Sequence, residues 1–113
     1  MARLVLNCEG VDLGTHEFFR DIVMIGRAPS NQIVIDHPTV SAQHTVLLKV
    51  GNSYWLKDLN STNGTQINDM LVTDAELKDG DTIRLGSVIA VFTGGRRKRP
   101  TSKIRKLWRN IGV

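Results

Sequence analysis

A single cysteine, Cys8, stands among the 113 residues, so no intramolecular disulfide can staple the chain. No spaced set of Cys and His offers structural zinc a site. This excludes a disulfide-framed secreted domain and fits a reducing compartment, the cytoplasm or, in a eukaryotic host, the nucleus. Long apolar runs are missing as well. None approaches the ~20 residues that span a bilayer, and the stretch from Met1 is too short for a leader and already alternates like a strand. The signatures HExxH, GxxxxGK[ST] and CxxC are absent. Ser41 and His44 fall three apart, but that is a loop-to-strand spacing without triad geometry, and no acid is placed to orient the histidine. No catalytic residue, metal or cofactor is expected. A mass of 12.6 kDa makes one domain and excludes two-domain enzymes, while 41% apolar residues suffice for a single core.

Acid is missing from one end of the chain. Residues 94–113 hold 8 Lys/Arg and no Asp/Glu, net +8, whereas residues 1–93 hold 7 Lys/Arg against 11 Asp/Glu, net −4. The overall +4 therefore describes the tail, and a basic nucleic-acid-binding body is excluded. Gly94-Gly95 marks the boundary, which divides the chain into a domain over 1–93 and a basic tail over 94–113.

What the body does have is period-2 patterning punctuated by turn residues. Strands are expected over Arg3–Asn7, Thr15–Phe19, Ile22–Ile25, Gln32–Ile35, Gln43–Val50, Ser53–Leu59, Thr65–Ile67, Met70–Val72, Thr82–Leu85 and Val88–Phe92. Val46, Leu48 and Val50 share one face, and Tyr54 and Leu56 lie opposite Trp55. Residues 74–79, Asp-Ala-Glu-Leu-Lys-Asp, are expected to form one helical turn. About ten to eleven short, mainly antiparallel strands with tight turns argue for an all-β sandwich, whose loops gather at its two ends.

Three loops carry more polar detail than a sandwich needs. Gly26-Arg27 ends an apolar strand and projects a guanidinium suited to phosphate or carboxylate. Ser41-Ala42-Gln43-His44 leads into the long fifth strand. Asn60-Ser61-Thr62-Asn63-Gly64-Thr65 closes a hairpin-like connection, with Gly64 a positive-φ candidate. Taken in order, Gly26-Arg27, Ser41-x-x-His44, Trp55-x-x-Asp58-Leu59-x-Ser61-Thr62-Asn63-Gly64-Thr65-x-x-Asn68 and Leu77-x-x-Gly80-Asp81-x-Ile83-x-Leu85-Gly86 resemble the forkhead-associated (FHA) domain, a phosphothreonine-binding β-sandwich. The resemblance covers about residues 3–93.

It implies that Arg27 grips the phosphate, that Ser41 donates its hydroxyl, and that Thr62 adds a hydroxyl or backbone donor. Asn63 would hold the peptide main chain. A slot for the threonine γ-methyl is worth roughly 0.8 kcal/mol, a preference over serine and not an exclusion. Gly26, His44, Gly64 and Asn68 would support the loops, the histidine as a brace beneath them; Trp55 would pack in the sheet. Two positions depart from the pattern. Ala42 follows the serine where relatives often carry arginine or another polar residue. Thr39, where some members read the third residue after the phosphothreonine, is a small neutral hydroxyl that argues against a strong acidic choice there. The implied function is non-catalytic recruitment of phosphothreonine-bearing proteins.

In the tail, Ile104, Leu107, Trp108 and Ile111 recur at i, i+3, i+4 and i+7, one face of a helix too short to stand alone in water. Arg96 to Arg99 precede it. Three uses compete: an anionic membrane surface, nucleic-acid phosphates, or a groove on a protein or on the chain's own domain. Docking on a protein or on the chain's own domain ranks first, since the body carries the opposite net charge. Under the alternative function, the sandwich is scaffold and this tail tethers a partner. Thr101, flanked by bases, is a candidate phosphosite which, once phosphorylated, could occupy the Arg27–Ser41 site of the same or another copy.

Overall fold

The computed structural model describes residues 2–94, 108 and 110–112. The strands are β1 (Ala2–Cys8), β2 (Val11–Phe18), β3 (Ile22–Gly26), β4 (Ile33–Val34), β5 (Thr45–Val50), β6 (Ser53–Asp58), β7 (Thr65–Ile67), β8 (Met70–Val72), β9 (Asp74–Leu77), β10 (Thr82–Leu85) and β11 (Val88–Thr93). One sheet runs β2-β1-β11-β10-β7-β8 and the other β4-β3-β5-β6-β9. Among the described residues only β3 and β4 pair in parallel. The expected sandwich is the observed one.

The alternating pattern decides which side chains meet between the sheets. Along β1 every second residue from Ala2 to Leu6 is buried, and β11 repeats the alternation from Val88. Leu4, Leu6, Ile83 and Phe92 from one sheet meet Ile25, Leu47 and Leu56 from the other in the main core. Each such side chain contributes about 1.5–3 kcal/mol on leaving water.

Two differences from the sequence expectation have plain causes. Residues 74–77 are not helical: β9 pairs with β6, Tyr54 opposite Leu77 and Leu56 opposite Ala75. The pairing buries Leu77 completely, which one isolated helical turn could not do. The second strand starts at Val11 rather than Thr15, because Glu9 and Gly10, at φ 52° and 80°, turn the chain at once into a hairpin with β1.

Strands β5 and β6 break the half-buried rule. Thr45–Leu48 and Ser53–Leu56 are each buried at four consecutive positions, so this pair is dry on both faces. The inner face holds Leu47, Tyr54 and Leu56 in the main core. On the outer face Val46, Leu48 and Trp55 cluster with Trp108 from the tail, while Met24, Val50, Leu59 and Ile111 pack around them. Trp108 is only 2% exposed and sits in a helical turn, where the Ile111 N–H donates to the Trp108 carbonyl at 3.3 Å. The Lys57 ammonium lies 5.8 Å from the Trp108 ring centroid, within cation–π range. Of the tail's expected apolar face, Trp108 and Ile111 thus rest on the sheet. Ile104, Leu107, Thr101 and the run Arg96–Arg99 lie outside the described residues.

Candidate functional site

The loops leaving β3, preceding β5 and following β6 meet at one end of the sandwich, and backbone hydrogen bonds zip the first two together. Arg27 N–H donates to the Ser41 carbonyl at 3.0 Å and Ala28 N–H to the Ala42 carbonyl at 3.1 Å. Asn31, 7% exposed, donates its amide to the carbonyls of Ala28 at 2.8 Å and Ala42 at 2.7 Å. So close is this approach that a Cβ on Gly26 would collide with the Ala42 carbonyl. Glycine is therefore the residue that lets Arg27 stand beside Ser41.

His44 joins the third loop to the second. Fully buried, its Nδ1 accepts from the Ser41 N–H at 3.1 Å, which leaves Nε2 as the ring donor, 2.9 Å from the Gly64 carbonyl. Gly64 turns at φ 78°, and a Cβ there would stand 2.8 Å from Leu71 Cδ1. Above this brace the Thr62 N–H donates to Ser41 Oγ at 3.0 Å, and Asn63 donates its amide to the Thr39 carbonyl at 2.8 Å. Among the described residues the Ser41 hydroxyl proton remains available, as do the Thr62 hydroxyl and the Asn63 amide oxygen.

Asp58 holds the root of the third loop. Its carboxylate accepts from Ser61 Oγ at 2.6 Å, Ser61 N–H at 3.0 Å and Thr65 Oγ1 at 2.7 Å. Burial alone would push this carboxyl up; the Ser61 and Thr65 hydroxyls and the Ser61 amide outweigh it and hold the group below its ordinary value. The acid of the Asp-Leu-x-Ser-Thr motif is a loop anchor.

Arg27, Ser41, Thr62 and Asn63 line one shallow depression of about 120 Å³ together with Thr39 and Val40. Arg27, Thr62 and Asn63 are exposed there, and Ser41 is half-buried. Of the two departures, Ala42 presents no polar side chain. Thr39 spends its hydroxyl within the framework: Oγ1 lies 2.8 Å from His37 Nδ1 and accepts from the Ser87 N–H at 2.8 Å. Asn68 stands apart from the depression, accepting from the Thr82 N–H at 3.0 Å and donating to Asp81 at 2.9 Å. Sequence reasoning missed Asn31, whose only signal was an amide in a loop just ahead of apolar Ile33. It also missed the His37–Thr39–Ser87 chain. A concavity of about 310 Å³ at the opposite end places Lys49 and Asn52 beside Phe18, Phe19 and Tyr54, without the arginine, serine and threonine that the three loops bring together.

Known proteins share this arrangement. The FHA domain family matches residues 23–86. The chain is 38% identical over 77 residues to an ABC transporter ATP-binding/permease protein of Mycobacterium tuberculosis, a match over 68% of this chain and 9% of that protein. It is 34% identical over 73 residues to an oxoglutarate dehydrogenase inhibitor of Corynebacterium jeikeium, covering 65% of this chain and 51% of the inhibitor. The chain thus spans about half or less of these curated relatives. An FHA domain solved for the structural and functional analysis of phosphothreonine-dependent FHA domain interactions superposes with a TM-score of 0.76 at 31% identity, over 85% of this chain and 98% of that one. Ordered motifs, loop geometry and these likenesses agree: the chain belongs to the FHA domain family of phosphopeptide-recognition modules.

Proposed function

We propose that residues 1–93 bind phosphothreonine peptides at the depression between the three loops and so recruit phosphorylated protein partners, without catalysis. One observation carries the reading: Arg27, Ser41, Thr62 and Asn63, from three separate loops, line the same depression. Arg27 supplies the cation for the phosphate, the Ser41 and Thr62 hydroxyls donate to its oxygens, and Asn63 Oδ1 accepts from the peptide main chain. Gly26, His44 and Gly64 hold these groups in place before ligand arrives, which lowers the ordering cost of binding. The absence of catalysis is supported by His44, both of whose ring nitrogens are spent on loop backbone. A free Cys8 supports a reducing compartment, and we place the protein in the cytoplasm.

A second reading makes the tail the active element, binding a membrane, nucleic acid or foreign groove. The burial of Trp108 against the chain's own sheet supports intramolecular docking instead, because that apolar surface is already in use.

The test is capture of a degenerate phosphothreonine peptide library by the full chain, beside phosphoserine and unphosphorylated libraries. Phosphothreonine-dependent capture that Arg27→Ala weakens at least about thirtyfold, with an unchanged melting temperature, is expected. Phosphate-blind capture, or capture indifferent to Arg27→Ala, would overturn the assignment.

A further inference from the structure

Next to the phosphate depression lies a second and larger one, of about 330 Å³, whose walls include Thr39, Asn63, Gln66, Arg84 and Ser87. The two share Thr39 and Asn63, so the Asn63–Thr39 hydrogen bond is the ridge between them. Arg84 sits on β10 between Ile83 and Leu85, each 1% exposed. Its own side chain is therefore turned to the outer face of the six-stranded sheet, opposite Gln66 of β7. Among the described residues its guanidinium has no hydrogen-bond or ion-pair partner. No carboxylate lines either depression, although the body as a whole is net negative. One cation thus stands in each of two adjoining hollows.

We infer that Arg84 forms a second anion subsite, which selects an acidic side chain or a second phosphorylated residue on the peptide held at Arg27. The inference rests on the phosphopeptide reading above. A peptide whose phosphothreonine sits against Arg27 and Ser41, and whose main chain crosses the ridge at Asn63, leads into the Arg84 hollow. There a planar guanidinium meets a carboxylate or phosphate in bidentate fashion, while the flanking amide of Gln66 and the hydroxyl of Ser87 add donors. The subsite comes from the opposite sheet, so the neutral residues Thr39 and Ala42 on the second loop do not decide the charge preference of the site.

The test uses the full chain and a phosphothreonine peptide with alanine at every flanking position. Glu, Lys and phosphoserine are placed in turn at each of the six positions on either side, and affinity is read by fluorescence anisotropy of a labelled peptide. Glu at one position, or at two neighbouring ones, is expected to tighten binding by about three- to fivefold, the range of a partly exposed ion pair. Phosphoserine there, with its larger charge, should gain about tenfold. Arg84→Gln should abolish both gains while leaving the alanine-flanked peptide within twofold of wild type, and Arg84→Glu should favour Lys at the same position. A gain from phosphoserine without one from Glu would assign the subsite to a second phosphate. Binding that is phosphothreonine-dependent yet indifferent to flanking charge, or a gain that survives Arg84→Gln, would overturn the Arg84 subsite alone. Loss of phosphate dependence at the alanine-flanked peptide would overturn the underlying reading, and the subsite with it.

Discussion

At the start of β5 and the end of β6 the chain assembles a polar framework; on the outer face of the same two strands it assembles an apolar seam with its own tail. In the framework, the buried donors and acceptors that shape the loops are paired: His44 through both ring nitrogens, Asp58 through three bonds, Asn31 through two. In the seam, the indole nitrogens of Trp55 and Trp108 are buried without a hydrogen-bond partner among the described residues, as is Glu76 Oε2 on the residue paired with Trp55. An unpaired buried polar group costs about 1–3 kcal/mol, which offsets part of what burying a tryptophan contributes. Directional bonds make the site rigid, whereas the seam is held by burial and the single Lys57–Trp108 cation–π contact and can be released at lower cost.

The contrast is broken most severely at His44. His44→Ala orphans the Ser41 N–H and the Gly64 carbonyl and leaves a void, so unfolding in urea should show a loss of about 2–4 kcal/mol. Phosphopeptide affinity should fall as well, since the Ser41 and Asn63 loops lose their common support. A variant of wild-type stability would refute the bracing role. Trp108→Ala is the matching cut in the seam. Because it removes an unpaired N–H along with the ring, its cost should be only about 1–2 kcal/mol by the same measurement. Affinity for phosphothreonine peptides should stay within twofold; a larger drop would mean that the seam and the site are coupled.

The smallest effect is a dependence on acid. Asp58 is held below its ordinary value near 3.8, so its stabilising contribution is fully present above that pH and disappears as pH falls through the lower folded value. The stability difference between wild type and Asp58→Asn, followed by urea midpoints, should be constant from pH 7 down to about 4 and shrink below. A difference that already shrinks between pH 7 and pH 5 would assign the titration to another group.

Much of this division could be read from residue order. Thr65–Ile67, Met70–Val72 and Thr82–Leu85 are observed with the expected bounds, because alternation and the adjoining turn residues agree. The strand at Asp74–Leu77 was hidden: its sequence lacks β-branched residues, and only the free edge of β6 makes it extended. At the site, Arg27, Ser41, Thr62 and Asn63 were legible as an ordered motif. Arg84 was not, since nothing local reveals that β10 passes beside loops from the other sheet. The bond from Ser87 to Thr39 spans 48 positions and leaves no trace in either neighbourhood. The double burial of β5 and β6 appeared only as unbroken apolar runs; the tail's apolar face and the opposite net charge of the body pointed to docking, but not to these two strands as the place where Trp108 rests.

The chain has 2 tryptophans, and both belong to the seam. Intrinsic fluorescence is therefore a signal from one place on this protein, away from the depression proposed to bind phosphopeptide. A spectral shift on adding denaturant would record the departure of Trp108 from Trp55 before it recorded the loss of the sandwich. A partner that leaves the emission unchanged would still be free to occupy the loop end.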